Sequence, residues 1–225
     1  MTTYYSSALA FLLAGTLAAT SATAADSGFY VRLDNGVQSI SGAKIEGRAQ
    51  GITVSGDAKF QAAYIFGGAI GYNLGSDIGP IALELEIDHA SNKLSSIAGV
   101  GLGTDVSLEQ TSALANVLYK TKLTDTFALH FSAGLGAQFH RNNLNSFYTN
   151  AANYGSRKDD TVLIAQLKPG VSFQLTNNLS LDAAYKLRFV GDSDGYSGVL
   201  AGTAYTLKVT SHLNHLFTAG LTYKF

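Results

Sequence analysis

FALHFSAGLGAQFH, Phe127 to His140, separates into two unlike sets when every second residue is taken. Phe127, Leu129, Phe131, Ala133, Leu135, Ala137 and Phe139 fall on one side; Ala128, His130, Ser132, Gly134, Gly136, Gln138 and His140 fall on the other. Alternate side chains of a strand point to opposite faces, so this stretch presents one wholly apolar face and one of small and polar groups. Strands in soluble sandwiches run about 5–6 residues, whereas a tilted membrane-crossing strand takes about 9–11. The length of the alternation therefore favours a strand that crosses a bilayer.

The same split recurs on both sides of this stretch. Ile81, Leu83, Leu85 and Ile87 alternate with Ala82, Glu84, Glu86 and Asp88, and Leu179, Leu181, Ala183, Tyr185, Leu187 and Phe189 with Ser180, Asp182, Ala184, Lys186 and Arg188. Further candidates lie at Gly28–Gln38, Ala62–Leu74, Val106–Lys120, Asp160–Gln174 and Thr206–Phe225, which makes eight strands. The connections alternate in length. Gly75–Gly79, Thr121–Asp125 and Leu175–Asn178 are short, while Ser39–Gln61, Asn92–Asp105, Arg141–Asp159 and Gly191–Tyr205 are long, polar and rich in Gly, Ser and Asn. Short periplasmic turns and long extracellular loops are the pattern of an outer-membrane barrel. The expected fold is all-β, an eight-stranded antiparallel up-and-down transmembrane β-barrel with both termini periplasmic.

Residues 1–25 read differently. Ala8 to Ala19 is an Ala/Leu-rich run, too short to span a bilayer as a helix, and it is followed by the small residues Ser21-Ala22-Thr23-Ala24-Ala25. This is the pattern of a secretory signal peptide cleaved near Ala25, leaving 26–225 as one barrel domain with no separate peptidoglycan-binding domain expected. Zero cysteines exclude a disulfide framework and thiolate metal sites. A net charge of −1 argues against nucleic acid as a partner. With 24 Gly, 12 Tyr and 12 Phe against 2 Pro, the composition suits strands and turns.

Two positions strain the scheme. Pro169 lies inside the sixth strand, where a closed barrel has no edge for a residue lacking its N–H, so a bulge or a place near the periplasmic rim is expected. In the fourth strand Leu114, Asn116 and Leu118 oppose Ala113, Ala115, Val117 and Tyr119, and Asn116 is assigned to the interior.

DDTVLIAQLKPGVSFQLTNNLSLDAAYKLRF, from Asp160 to Phe189, resembles the strand-turn-strand of the opacity-type and OmpA-like eight-stranded barrel superfamily, with its small porin-like members. The closing LFTAGLTYKF is similar to the terminal strand of that superfamily. The resemblance implies a Gram-negative outer membrane and the barrel architecture. Its members include adhesins, surface antigens, complement-factor binders, heme binders, small channels and anchors, so it leaves the activity open.

Phe217, Ala219, Leu221, Tyr223 and Phe225 share one parity, and Tyr223 with Phe225 resembles the signal by which the barrel-assembly machinery recognises its clients. Arg32, Lys168, Lys186, Arg188 and Lys224 share the inward parity with Asp34, Glu84, Glu86, Asp88 and Asp182. An eight-stranded barrel is only wide enough for its own side chains, and charges there must pair. The expected role is a balanced polar core that locks register, in preference to a gated ion path.

His89-Ala90-Ser91-Asn92 is similar to the His-x-Ser-Asn of lipid A deacylases, with Glu109 on the next strand as a candidate orienter; Lys93 and Leu94 and the early position depart from that pattern. His140, His212 and His215 are read as solvated rather than as a metal or heme site. Tyr64, Phe66, Tyr72, Phe127, Phe139, Tyr185, Phe189 and Tyr223 read as aromatic girdles.

The reading is a monomeric, non-enzymatic surface protein, an adhesin or surface antigen acting through its loops. A narrow porin-like channel comes second and a serine esterase at His89 and Ser91 third. Expected partners are outer-membrane lipid and lipopolysaccharide, the assembly machinery and a host or cell-surface ligand, with no cofactor or metal.

Overall fold

A computed structural model of the chain describes residues 27–49, 52–75, 80–97, 106–144, 156–200 and 203–225; the expected signal peptide lies outside them. The described strands are β1 (Ser27–Ser41), β2 (Lys44–Ala49), β3 (Ile52–Phe60), β4 (Ala63–Leu74), β5 (Ile81–Ile97), β6 (Val106–Lys122), β7 (Phe127–Leu144), β8 (Ser156–Gln174), β9 (Leu179–Val190), β10 (Ser193–Leu200), β11 (Thr203–Val209) and β12 (His212–Lys224).

Eight of them close a ring in the order β1, β4, β5, β6, β7, β8, β9, β12, each antiparallel to the next, and β12 returns to β1. Along β12 burial alternates without a break: His212, Asn214, Leu216, Thr218, Gly220 and Thr222 inside, and Phe217, Ala219, Leu221 and Tyr223 exposed outside. The barrel is inverted relative to a water-soluble domain. Arg188, Lys168, Lys186 and Gln138 are buried to 1 % or less, while Leu33, Leu135 and Leu163 are exposed to 72 %, 71 % and 82 %. A belt of exposed Leu, Ile, Val and Phe is stable only where the surrounding medium is itself apolar.

Two of the periplasmic turns, Thr121–Asp125 and Leu175–Asn178, repeat one device. Leu123 N–H donates to Phe127 O (2.9 Å) and Leu175 N–H to Leu179 O (2.9 Å). In each turn a threonine hydroxyl accepts from the first amide of the next strand, Thr124 from Phe127 (3.0 Å) and Thr176 from Leu179 (3.1 Å). This is the local side-chain capping that Ser and Thr supply in tight turns.

The extracellular side departs from expectation. Ser39–Gln61 is not a loop: β1 runs on to Ser41, Gly42 turns the chain with a φ of 74°, and β2 and β3 form a hairpin. Gly191–Tyr205 holds β10 and the start of β11, and the expected eighth strand Thr206–Phe225 divides into β11 and β12. The division falls at Thr210-Ser211, where the Thr210 amide donates to Lys44 O (3.0 Å) and the Ser211 amide to Asp192 Oδ1 (2.7 Å). Both bonds pull the chain out of the barrel ladder. β11 then pairs with β2, and β3 with β5, so the two hairpins form one sheet continuous with the barrel wall.

Pro169 causes no bulge. The pairs Leu167–Leu187 and Gly170–Ala184 flank it in one unshifted register, and the β8–β9 ladder merely skips Lys168 and Pro169, while on the other side Pro169 still stands opposite Phe131. Its ring faces lipid, so the missing N–H costs one gap in the ladder.

Inside, apolar and polar layers alternate along the axis. Tyr30, Ala82 and Leu118 pack towards the periplasmic side, and Leu114, Val162, Ile164 and Val190, with Ile65, Ala90 and Leu216, pack above the charges. Ile40, Ala43, Ala58, Leu94 and Leu108 close the extracellular end beneath the β2–β3 hairpin. Glycines on the inner wall make room for bulk. A Cβ at Gly71 would collide with the Tyr30 ring, one at Gly134 with the Asn116 amide, and one at Gly170 with the His130 ring.

Candidate functional site

Eight of the ten interior charges meet in the lumen. Glu84 receives Arg32 (Nη1 to Oε2, 2.5 Å), Lys168 (2.6 Å) and the Tyr30 hydroxyl (3.1 Å). Glu86 receives Lys168 (2.8 Å) and Lys186 (2.7 Å), with Arg32 at 3.3 Å. Asp34 joins through Arg32 (3.0 Å) and Lys186 (3.2 Å). Asp88 is held by both terminal nitrogens of Arg188, at 3.0 and 2.6 Å. Four cations thus face four anions. Asn116 lies among them, donating to Glu84 (3.3 Å) and Glu86 (3.2 Å).

Asp182 and Lys224 stand apart. Asp182 accepts from the hydroxyls of Ser172 and Thr222, and the half-exposed Lys224 makes no ion pair with the described residues.

Two of the pairs cross the barrel, whereas Arg32–Asp34 runs along β1. β5 and β9 lie opposite each other in the ring, so Asp88–Arg188 and Glu86–Lys186 span the diameter. A gap beside them, among Arg32, Asp34, His130, Lys168, Asp182 and Lys186, is ≈ 10 Å³, space for about one water.

A second polar layer lay in the parity of the sequence but was not singled out there. Gln38 donates to Asn92 (2.8 Å) and Gln110 (3.0 Å), and Gln110 Oε1 also accepts from Gln138 and from Asn214 (3.1 Å). His140 and His212, expected to be solvated, are buried inside the barrel near this layer, because both sit on the inward parity of their strands. His215 alone of the three faces outward.

His89 and Ser91 face outward on β5. The His89 ring is held through Nδ1 by the Thr111 hydroxyl (2.9 Å) and leans on Phe66. Glu109 stands opposite Ser91 and is approached by Arg141 at 3.9 Å.

At the C-terminus Tyr223 is exposed on the lipid face and the Phe225 ring stands edge-on to it at 5.2 Å. The Phe225 amide donates to Phe29 O (3.1 Å).

The extracellular hairpins are tied to the barrel through Asp192, which accepts from Lys208 Nζ (2.7 Å) and from the Ser211 amide. The Lys208 hydrogen bond, and then the Ser211 amide, hold this carboxyl below the usual carboxylate range.

The family model described as outer membrane protein beta-barrel domain matches residues 7–225. No curated protein matches the chain. Among solved structures, the outer membrane protein OprG from Pseudomonas aeruginosa is similar with a TM-score of 0.57 at 14 % identity, covering 89 % of this chain and 97 % of that one. Neisserial surface protein A gives 0.51 at 19 % identity, covering 88 % of this chain and 99 % of that one. At such identities the likeness shows the barrel fold alone.

Proposed function

Because this chain belongs to the outer membrane β-barrel family and is a barrel of the bacterial outer membrane, we propose that it works as a surface protein, an adhesin or surface antigen, through the sheet that its two extracellular hairpins build. The observation that carries this is the ladder β10–β11–β2–β3–β5. Loops serving only closure need no such order, whereas a binding surface gains from being held rigid before its partner arrives. The apolar layer of Ile40, Ala43, Ala58, Leu94 and Leu108 supports the sheet from below. Its partner is a host or cell-surface macromolecule, met by a monomeric barrel seated in lipid and lipopolysaccharide.

Intact cells displaying the protein should bind at least one member of a panel of matrix and serum proteins. Replacing residues 42–61 or residues 191–211 by a short Gly-Ser turn should each abolish that binding, since the β11–β2 ladder makes the two hairpins one surface. Wild-type cells that bind nothing, or folded variants that both bind normally, would overturn the reading.

The interior charges serve as a register lock in this proposal, and Tyr223 with Phe225 serves as the assembly signal. Phe225→Ala keeps the amide bond to Phe29 and removes only the ring. Its expected effect is a several-fold fall in outer-membrane protein with accumulation in the periplasm, measured by membrane fractionation; unchanged levels would leave the ring no part in assembly.

A further inference from the structure

On the outer wall, three side chains from three neighbouring strands form one hydrogen-bonded chain. Ser41 Oγ lies 2.8 Å from His215 Nε2, and Tyr185 Oη lies 2.6 Å from His215 Nδ1. Tyr185 also packs on the imidazole and on Phe217, with ring centroids 6.1 and 5.0 Å away. Ser41 is the last residue of β1, at the extracellular end of the barrel, and it is exposed. The next residue, Gly42, turns at positive φ, a Cβ there would meet nothing within 4 Å, and its amide donates to none of the described residues.

The wall below this chain is shaped by the register. Asn35, Ala219 and Ala183 form one outward row across β1, β12 and β9, between the row Val37, Phe217, Tyr185 above and the row Leu33, Leu221, Leu181 below. Small side chains between two larger rows leave a mostly apolar trough of ≈ 520 Å³ in the lipid-facing surface. Tyr185 lines the trough and belongs to the polar chain above it. The trough's nearest residue on β1, Val37, lies four residues from Ser41, about 13 Å at strand rise, within reach of the tail of a long acyl chain whose ester sits at Ser41.

We propose that Ser41, His215 and Tyr185 form an esterase site for long-chain acyl esters of the outer leaflet. A nucleophile bonded to a base that is oriented by a third group is the arrangement that activates a hydroxyl. With the Tyr185 oxygen accepting from Nδ1–H, His215 Nε2 is free to accept the Ser41 proton. Ser41 Oγ then attacks the ester carbonyl, its proton passes to Nε2, and the Gly42 amide donates to the oxyanion. Collapse breaks the carbonyl–oxygen bond, the imidazolium gives its proton to the departing alcohol, and the acyl group stays on Ser41. Water, activated by the same imidazole, releases the fatty acid and restores the hydroxyl. Ser41 and His215 are catalytic residues, and Tyr185 is a positioning residue. The site is independent of the surface-binding reading and is built from residues other than His89 and Ser91.

The folded protein in detergent micelles, checked by heat-modifiable gel migration, should take one adduct from an alkyl fluorophosphonate, mapped to Ser41 by peptide mass spectrometry. It should hydrolyse a long-chain p-nitrophenyl ester. Ser41→Ala should lose both, His215→Asn should slow hydrolysis by at least ~100-fold, and Tyr185→Phe should lower kcat while keeping KM. Purified lipopolysaccharide and phosphatidylethanolamine micelles, assayed for released fatty acid, separate the two sources of ester. No adduct at Ser41, wild-type hydrolysis by folded Ser41→Ala, or release from neither lipid would overturn the proposal.

Discussion

Arg188→Leu is expected to destabilise the folded barrel by about 3–5 kcal/mol, the usual cost of removing one partner from a buried ion pair, while Arg188→Leu combined with Asp88→Leu costs much less. Arg188 is fully buried and gives Asp88 two hydrogen bonds, Ser112 one (2.8 Å) and Gln166 two more (3.2 and 2.7 Å). Its loss strands a carboxylate inside the lumen, and that carboxylate, more than the lost attraction, is the source of the damage. The double variant removes the stranded charge together with its partner and so isolates the coupling. The pair lies at opposite ends of a diameter, so it resists both collapse and ovalisation of the ring. Urea unfolding in lipid vesicles can be followed through tyrosine fluorescence, since the chain has no tryptophan. A single-variant cost below about 1 kcal/mol, the range of solvent-exposed pairs, would mean that water reaches Arg188 and that the pair contributes little.

The same residues show what a sequence can and cannot disclose. Parity assigned Arg188, Asp88, Glu84, Glu86, Lys168 and Lys186 to the interior, because the strand period is 2 whatever the strand pairs with. Which charge meets which was not legible, since Lys186 and Glu86 are 100 residues apart and come together only when the ring closes. Asp182 and Lys224 share the inward parity but sit at levels where hydroxyls or solvent take the place of an ion partner. The extracellular strands were missed for a different reason. Segments such as Ser39–Gln61 are rich in Gly and Ser, and what makes them strands is pairing with one another, β2 with both β3 and β11, rather than any alternation of their own. Ser41, His215 and Tyr185 carry no motif at all: residues 174 and 30 apart are joined only by neighbouring strands.

Wild-type protein in a planar bilayer should give no stable conductance steps. Hydrated ions need a continuous wet path, and three layers interrupt it. The first is the ion cluster, where cross-lumen pairs leave ≈ 10 Å³ beside them. The second is the amide cluster of Gln38, Asn92, Gln110, Gln138 and Asn214. The third is the apolar cap of Ile40, Ala43, Ala58, Leu94 and Leu108. Because every buried carboxylate of the ion cluster is already paired, an entering ion would have to displace a lysine or arginine from its carboxylate inside a filled core, against the cost of unpairing buried charge. Replacing residues 42–61 by a short turn removes Ala43 and Ala58 from the cap and leaves the lower two layers, so that variant should stay silent as well. Steps appearing only in that variant would move the seal to the β2–β3 hairpin. Stable, ion-selective steps in the wild type that disappear in Glu86→Ala would show that the charges line a path, and the register lock would have to give way to a channel.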